Sequence, residues 1–222
     1  MKRNHKKVII FDMDGTLYRF NGDSFKNSGL YDVVIRNTLI YVSNKLKKTE
    51  SEAQEILSFI LEEYDNSISM GLEKEFKINR LEYFDFVWDI DVEKYVQIDS
   101  ATKPFLLELQ KNFDLVLLSD APMIWIDRVL DYLEIREIFR DNIFSGEGDV
   151  RKEFGNAFEK ICETMNIETS DCLVVGDQEE TDIIPAKKIG MKTIFIGSNK
   201  SNSSDHTIDN ILKLKNIVKI YE

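Results

Sequence analysis

The chain is predicted to fold as an α/β protein: a parallel sheet covered by helices on both faces and interrupted, after its first strand, by an all-helical segment. Three observations carry this. Short, almost wholly apolar runs recur at Val8-Ile9-Ile10-Phe11, Leu115-Val116-Leu117-Leu118, Cys172-Leu173-Val174-Val175 and Thr193-Ile194-Phe195-Ile196, and strands without polar alternation belong in sheets buried on both sides. From Ala101 onward these runs alternate with helix-length stretches, as a parallel sheet with crossover helices requires. Between residues 18 and 99, by contrast, helical spacing dominates and no strand is evident. The expected division is a core of residues 1–17 and 100–222 carrying a helical insert of residues 18–99.

Taken in order, Val8 to Phe11 is a buried strand that stops in a loop at Asp12-Met13-Asp14-Gly15-Thr16. The polar, glycine-dotted stretch from Asn21 to Gly29 reads as a hinge. Val33, Val34, Ile40, Tyr41 and Leu46 then follow helical spacing up to a break near Lys47-Lys48-Thr49. Thr49 or Ser51 can cap a second helix bearing Ala53, Ile56, Leu57, Ile60 and Leu61. Tyr83, Phe84, Phe86 and Trp88 read as packing between helices, with stacking on a substrate base as the alternative. In the second half, helices are expected over Lys103 to Lys111, with Pro104 in the first turn, and from Pro122 to about Leu133. A short strand at Asn142-Ile143-Phe144 precedes a helix from about Glu153 to Met165. Thr181 to Ile189 is helical, with Pro185 near its start and Gly190 closing it, and a last helical stretch is expected around Ile208 to Leu214.

The 222 residues are enough to bury a sizeable interior, and 43% hydrophobic with 31% charged residues is a soluble, globular balance. A formal net charge of -11 argues against a nucleic acid polymer as the main partner, because such binders present a basic face and the only basic run is Lys2 to Lys7. That run is too brief for a signal peptide, and nothing approaches the roughly 20 apolar residues of a membrane span. Cys162 and Cys172 lie in separate elements without Cys-x-x-Cys spacing, so a reducing, cytoplasmic setting is expected. His5 and His206 stand in terminal contexts that weaken any Ser-His-Asp or His-ligated zinc proposal.

Asp12 and Asp14, two apart at a strand end, project to the same side. Two like charges a few ångströms apart repel by roughly 4 kcal/mol at an effective dielectric of about 20. A divalent cation or shared proton chemistry relieves that repulsion. The plainer reading is a pair of turn formers closing a strand, with Asp14-Gly15 an ordinary turn. In an open parallel sheet the functional crevice lies beyond the carboxyl ends of the strands. There the sequence places Asp12 and Asp14, Ser119 and Asp120, and Gly176-Asp177 with Glu179, Glu180 and Asp182. Singly, Ser119-Asp120 is also a helix cap ahead of Pro122, the acids from 177 to 182 suit a helix start, and Lys152 is ordinary surface charge.

Together these segments resemble the haloacid dehalogenase-like (HAD) phosphohydrolase superfamily. Its first motif stands intact as Asp12-Met13-Asp14-Gly15-Thr16, the second matches Ser119, the third Lys152, with Arg151 as the competitor, and the fourth Gly176-Asp177 with Asp182. Glu153 and Pro185 depart from the commonest pattern, which has proline and glycine there, and Asp120 stands where asparagine is common. The resemblance implies a three-layer, Rossmann-like core with a helical C1-type cap. It implies Mg²⁺ held by the Asp12 and Asp177 carboxylates and the Asp14 backbone carbonyl, with Asp182 in support. Ser119, Asp120 and Lys152 would meet the substrate phosphate, Asp12 would form an aspartyl-phosphate, and Asp14 would act as acid and base. Asp14 also argues against the dehalogenase branch, which lacks this second acid. The implied activity is hydrolysis of a small phosphorylated metabolite: a nucleotide, a sugar phosphate or phosphoglycolate. A sugar phosphate mutase using the same Asp12, and a catalytically silent binding or regulatory module, are the alternatives.

Overall fold

The computed structural model describes residues 6–22, 24–64, 67–148, 150–219 and 221; His5 and the start of the basic run lie outside these residues. In chain order the elements are β1 (Lys7–Phe11), β2 (Arg19–Phe20), α1 (Leu30–Leu46), α2 (Glu50–Glu63), α3 (Ile68–Phe76), α4 (Arg80–Val87), β3 (Val96–Gln97), α5 (Thr102–Leu109), β4 (Phe113–Ser119), α6 (Met123–Tyr132), α7 (Arg136–Phe139), β5 (Ile143–Ser145), α8 (Ala157–Met165), β6 (Cys172–Gly176), α9 (Ile184–Lys188), β7 (Lys192–Ile196), β8 (His206–Ile208) and α10 (Lys215–Val218).

The apolar runs pair in one parallel sheet of order β5-β4-β1-β6-β7-β8. Alternate residues of β1 enter opposite cores: Ile9 and Phe11 join one buried cluster, Val8 and Ile10 the other. That is the two-sided burial that apolar strands demand. Phe158, Ile161 and Cys162 of α8 cover one face, and Trp125, Ile126, Val129 and Leu130 of α6 the other. Phe11 stands in register with Leu117 on one side and Val175 on the other. The chain leaves β1 toward β4 and β5, then returns across it to β6, so strand order reverses at β1. The crevice predicted for such a reversal lies above β1, β4 and β6.

In the insert, α1 packs on α2 and α4, and α3 on the same two helices. Thr49 caps α2 through a capping box with Glu52, whose carboxylate accepts the Thr49 backbone N–H at 2.8 Å. The insert is not wholly helical: Arg19-Phe20 and Val96-Gln97 pair as an antiparallel ribbon at its base. Strands of two residues are too short to leave any periodicity in the sequence. Two other expectations are corrected. The helix expected from Glu153 is broken at Gly155, whose φ of +72° ends a short 3-10 turn, so α8 begins only at Ala157. The stretch expected to be helical from Ile208 begins as β8, which adds to the sheet edge beside β7, before a 3-10 turn over Ile211–Leu214. The cysteines lie in separate elements, both free, with their Sγ atoms 3.9 Å apart. Among the described residues no helix is long and apolar enough to cross a membrane.

Candidate active site

The three central strands deliver their polar ends to one place. The Asp12 N–H donates to the Val175 carbonyl at 2.9 Å, carrying the β1–β6 pairing one step past the strand and fixing Asp12 over the crevice. One carboxylate oxygen from each of Asp12, Asp177 and Asp182 lies within 4.8 Å of the others. Lys152 Nζ reaches into the group, 2.5 Å from Asp12 Oδ1 and 2.6 Å from Asp182 Oδ1, and Thr16 Oγ1 donates to Asp12 Oδ2 at 2.9 Å. Lys152 and Asp182 are each buried. The Asp182 contact is a buried ion pair.

Burial raises the Asp177 and Asp182 carboxyls well above the ordinary range. At Asp177 the charges of Asp12 and Asp182 push the same way, while at Asp182 Lys152 opposes the rise. Burial pulls the Lys152 pKa down; the facing Asp12 and Asp182 carboxylates outweigh that and raise it. Three acids around one cation leave negative charge in excess. Asp177 Oδ1, buried and without a hydrogen-bond partner among the described residues, marks where it is uncompensated. Unpaired carboxylate oxygen in a close group of hard donors is what a divalent cation such as Mg²⁺ takes up, so the residues present fit that ion.

Asp14 faces away from this group. Its Oδ1 accepts from the Tyr18 hydroxyl and from Trp125 Nε1 at 3.1 Å, and its Oδ2 from Ser119 Oγ at 3.4 Å. Burial first, then the charge of Asp12, pushes its pKa up to about 6, against the pull of the Tyr18 and Trp125 donors and of Lys152. Burial, then Asp14, holds the Tyr18 phenol far above its usual value, so it remains a donor. An acid near 6 can hold or release a proton around neutrality.

Asp14, Gly15, Trp125, Asp177 and Gln178 line a cavity of about 540 Å³ whose far wall is Phe20, Phe25 and Trp88 of the insert. Trp88 meets Trp125 with ring centroids 5.8 Å apart and stacks on Phe25 at 6.1 Å. Arg128 of α6 pairs with Asp89 and donates to the Ile90 carbonyl at 2.8 Å, fastening the insert to the core beside the cavity. Of the aromatic stripe, Tyr83 and Phe84 are buried and Phe86 is exposed, while Trp88 faces the cavity.

Of the residues anticipated at the site, Asp12, Lys152, Asp177 and Asp182 meet directly, and Asp14 and Ser119 touch one another beside them. Asp120 Oδ1 accepts the backbone N–H of Lys152 at 2.9 Å, and Asp120 lines the same cavity as Asp14 and Asp177. Arg151 lines an adjoining cavity. Sequence reasoning gave no role to Thr16, Tyr18 or Trp125. Tyr18 could have been found four residues beyond Asp14, whereas Trp125 looks like any core residue of an amphipathic helix.

A family model described as haloacid dehalogenase-like hydrolase matches residues 6–190. A glyceraldehyde 3-phosphate phosphatase from Methanocaldococcus jannaschii is 26% identical over 229 aligned positions, covering 96% of this chain and 97% of the relative. Among solved structures, a HAD phosphatase from Thermococcus onnurineus superposes with a TM-score of 0.67 at 22% identity, over 96% of this chain and 97% of that one. A putative HAD hydrolase from Bacillus subtilis, solved with magnesium and described as revealing interdomain movement, gives a TM-score of 0.58 at 16% identity, over 97% of this chain and 100% of that one.

Proposed function

The chain belongs to the haloacid dehalogenase-like hydrolases, and from that premise we propose that it is a Mg²⁺-dependent phosphatase of a small phosphorylated metabolite, working through a covalent phosphoryl group on Asp12. The observation that carries this is the gathering of Asp12, Asp177 and Asp182 around Lys152, with an orphaned Asp177 oxygen, beneath a cavity walled by core and insert. A cation held by Asp12, Asp177 and the Asp14 carbonyl would neutralise phosphoryl charge as it develops. Asp182, ion-paired to Lys152, keeps that ammonium charged and in place. Asp12, oriented by Thr16 and Lys152, attacks phosphorus and displaces the leaving oxygen, to which Asp14 gives its proton. Asp14 then takes a proton from the water that attacks the same phosphorus, releasing phosphate and restoring both acids. Lys152 and Ser119 donate to the phosphoryl oxygens, and Asp120 holds Lys152 in register. The insert acts as a cap, excluding bulk water while the intermediate exists.

The first test is phosphate release from p-nitrophenyl phosphate and a panel of phosphorylated metabolites. Release is expected with Mg²⁺ and lost with a chelator; release unaffected by chelation would overturn the reading. Two variants sharpen it. A Cβ on Gly15 would stand 2.2 Å from Asp177 Oδ2, at a backbone φ of +85°. Gly15→Ala is therefore expected to raise the Mg²⁺ concentration for half-maximal activity roughly tenfold or more, read by a metal titration of the rate. Trp125→Phe removes a donor to Asp14 while keeping most of the ring packing. It is expected to lower kcat roughly tenfold with KM little changed.

A further inference from the structure

Arg80, at the start of α4, is 8% exposed. Its Nη2 donates to the Gly146 carbonyl at 3.1 Å and its Nε to Ser69 Oγ at 3.2 Å, and its Cζ stands 5.2 Å from the centre of the Phe84 ring. These partners are neutral, and among the described residues no carboxylate pairs with this guanidinium. A guanidinium carries five N–H donors, and two are engaged. An uncompensated buried charge is costly and needs a counter-charge.

That counter-charge has a place to come from. Arg80 lines a cavity of about 440 Å³ together with Lys26 and Arg151, and Asp120, engaged with the Lys152 backbone, is the one acid among the described residues on its wall. An otherwise acidic chain has thus gathered cations at this spot. Phe25, Lys26, Trp88 and Asp120 also line the cavity above Asp14 and Asp177, so the two spaces adjoin.

Resting on the phosphatase reading, we infer that this second cavity takes an anionic group on the leaving-group side of the substrate, a carboxylate or a second phosphoryl, held by Arg80. The substrate class is then a phosphorylated hydroxy acid or a bisphosphate, not the phosphate of a neutral polyol or nucleoside. Arg80 supplies a fork suited to two anionic oxygens, and Lys26 and Arg151 add field.

The test compares four esters on the whole protein with Mg²⁺: phosphoglycerate, a three-carbon bisphosphate, glycerol phosphate and p-nitrophenyl phosphate. The expected kcat/KM for phosphoglycerate or the bisphosphate exceeds that for glycerol phosphate by roughly tenfold to a hundredfold, and whichever leads identifies the anionic group. Arg80→Gln should abolish most of that preference through KM while sparing p-nitrophenyl phosphate, and Arg80→Lys should keep part of it. Independently of any variant, glycerate should inhibit competitively where glycerol does not. Equal turnover of glycerol phosphate and the anionic esters, or an equal loss on all four in Arg80→Gln, overturns the inference and leaves the phosphatase standing. No turnover of any ester overturns both.

Discussion

Replacing Asp12 by Asn is expected to lower kcat on the order of 10⁴-fold or more, with little loss of stability. The substitution keeps the shape and can still accept from Thr16, which now donates to Oδ2 at 2.9 Å. It removes the negative charge that makes a carboxylate oxygen nucleophilic, so on the proposed mechanism the phosphoryl group loses its acceptor on the protein. It also removes one of the like charges that push Asp177 and Asp182 upward, which compensates for the weakened contact with Lys152. The result separates two accounts of the strand end. Asparagine forms turns as readily as aspartate, so a residue that merely closed β1 would tolerate the change with activity intact. Steady-state rates with the best ester, beside a urea denaturation curve, distinguish the two.

Lys152→Met should be the most destabilising single change at the site, by roughly 3–5 kcal/mol without added metal. The ammonium lies within 2.6 Å of both Asp12 and Asp182 and is the one cation that these buried carboxylates are seen to share. Methionine fills similar space, so lost packing contributes little and the effect reports the charge. On the proposed reading Mg²⁺ would bind the same acids and should restore a substantial part of the lost stability in the variant, more than it adds to the unchanged protein. Activity should not return with it, because on the proposed mechanism the phosphoryl oxygens lose the Lys152 donor. Urea midpoints with chelator and with Mg²⁺ measure this; a variant as stable as the parent in chelator would show that Lys152 is not balancing the acids.

Where apolar runs stop at polar residues, the sequence was legible. Phe11-Asp12, Leu118-Ser119 and Gly176-Asp177 each mark a buried strand ending at a polar residue, and a parallel sheet puts such ends together without further information. Topology alone brings Asp12 beside Asp177, since β1 and β6 are neighbours. Asp182, expected to support the metal from behind, brings a carboxylate oxygen within 4.8 Å of those of Asp12 and Asp177 and pairs with Lys152. What the pattern did not carry depends on how helices fold back. Trp125 satisfies the apolar period of α6 whether or not its ring N–H finds Asp14. Arg80 is one charged residue on a short helix, and only the packing of α4 against the Gly146 loop buries it. The Asp120 side chain turns to the backbone of a residue 32 positions away, a contact that no local spacing encodes. The ribbon at the base of the insert failed for a different reason: two residues on each side cannot establish a period.

The most direct test of phosphoryl transfer through Asp12 is stereochemical. An ester made chiral at phosphorus with the three oxygen isotopes is turned over in the presence of Mg²⁺, and the configuration of the product is read after transfer to an acceptor alcohol. Two successive in-line displacements, first by Asp12 and then by the alcohol, give net retention. Inversion would mean a single direct displacement, and would contradict the covalent role assigned to Asp12.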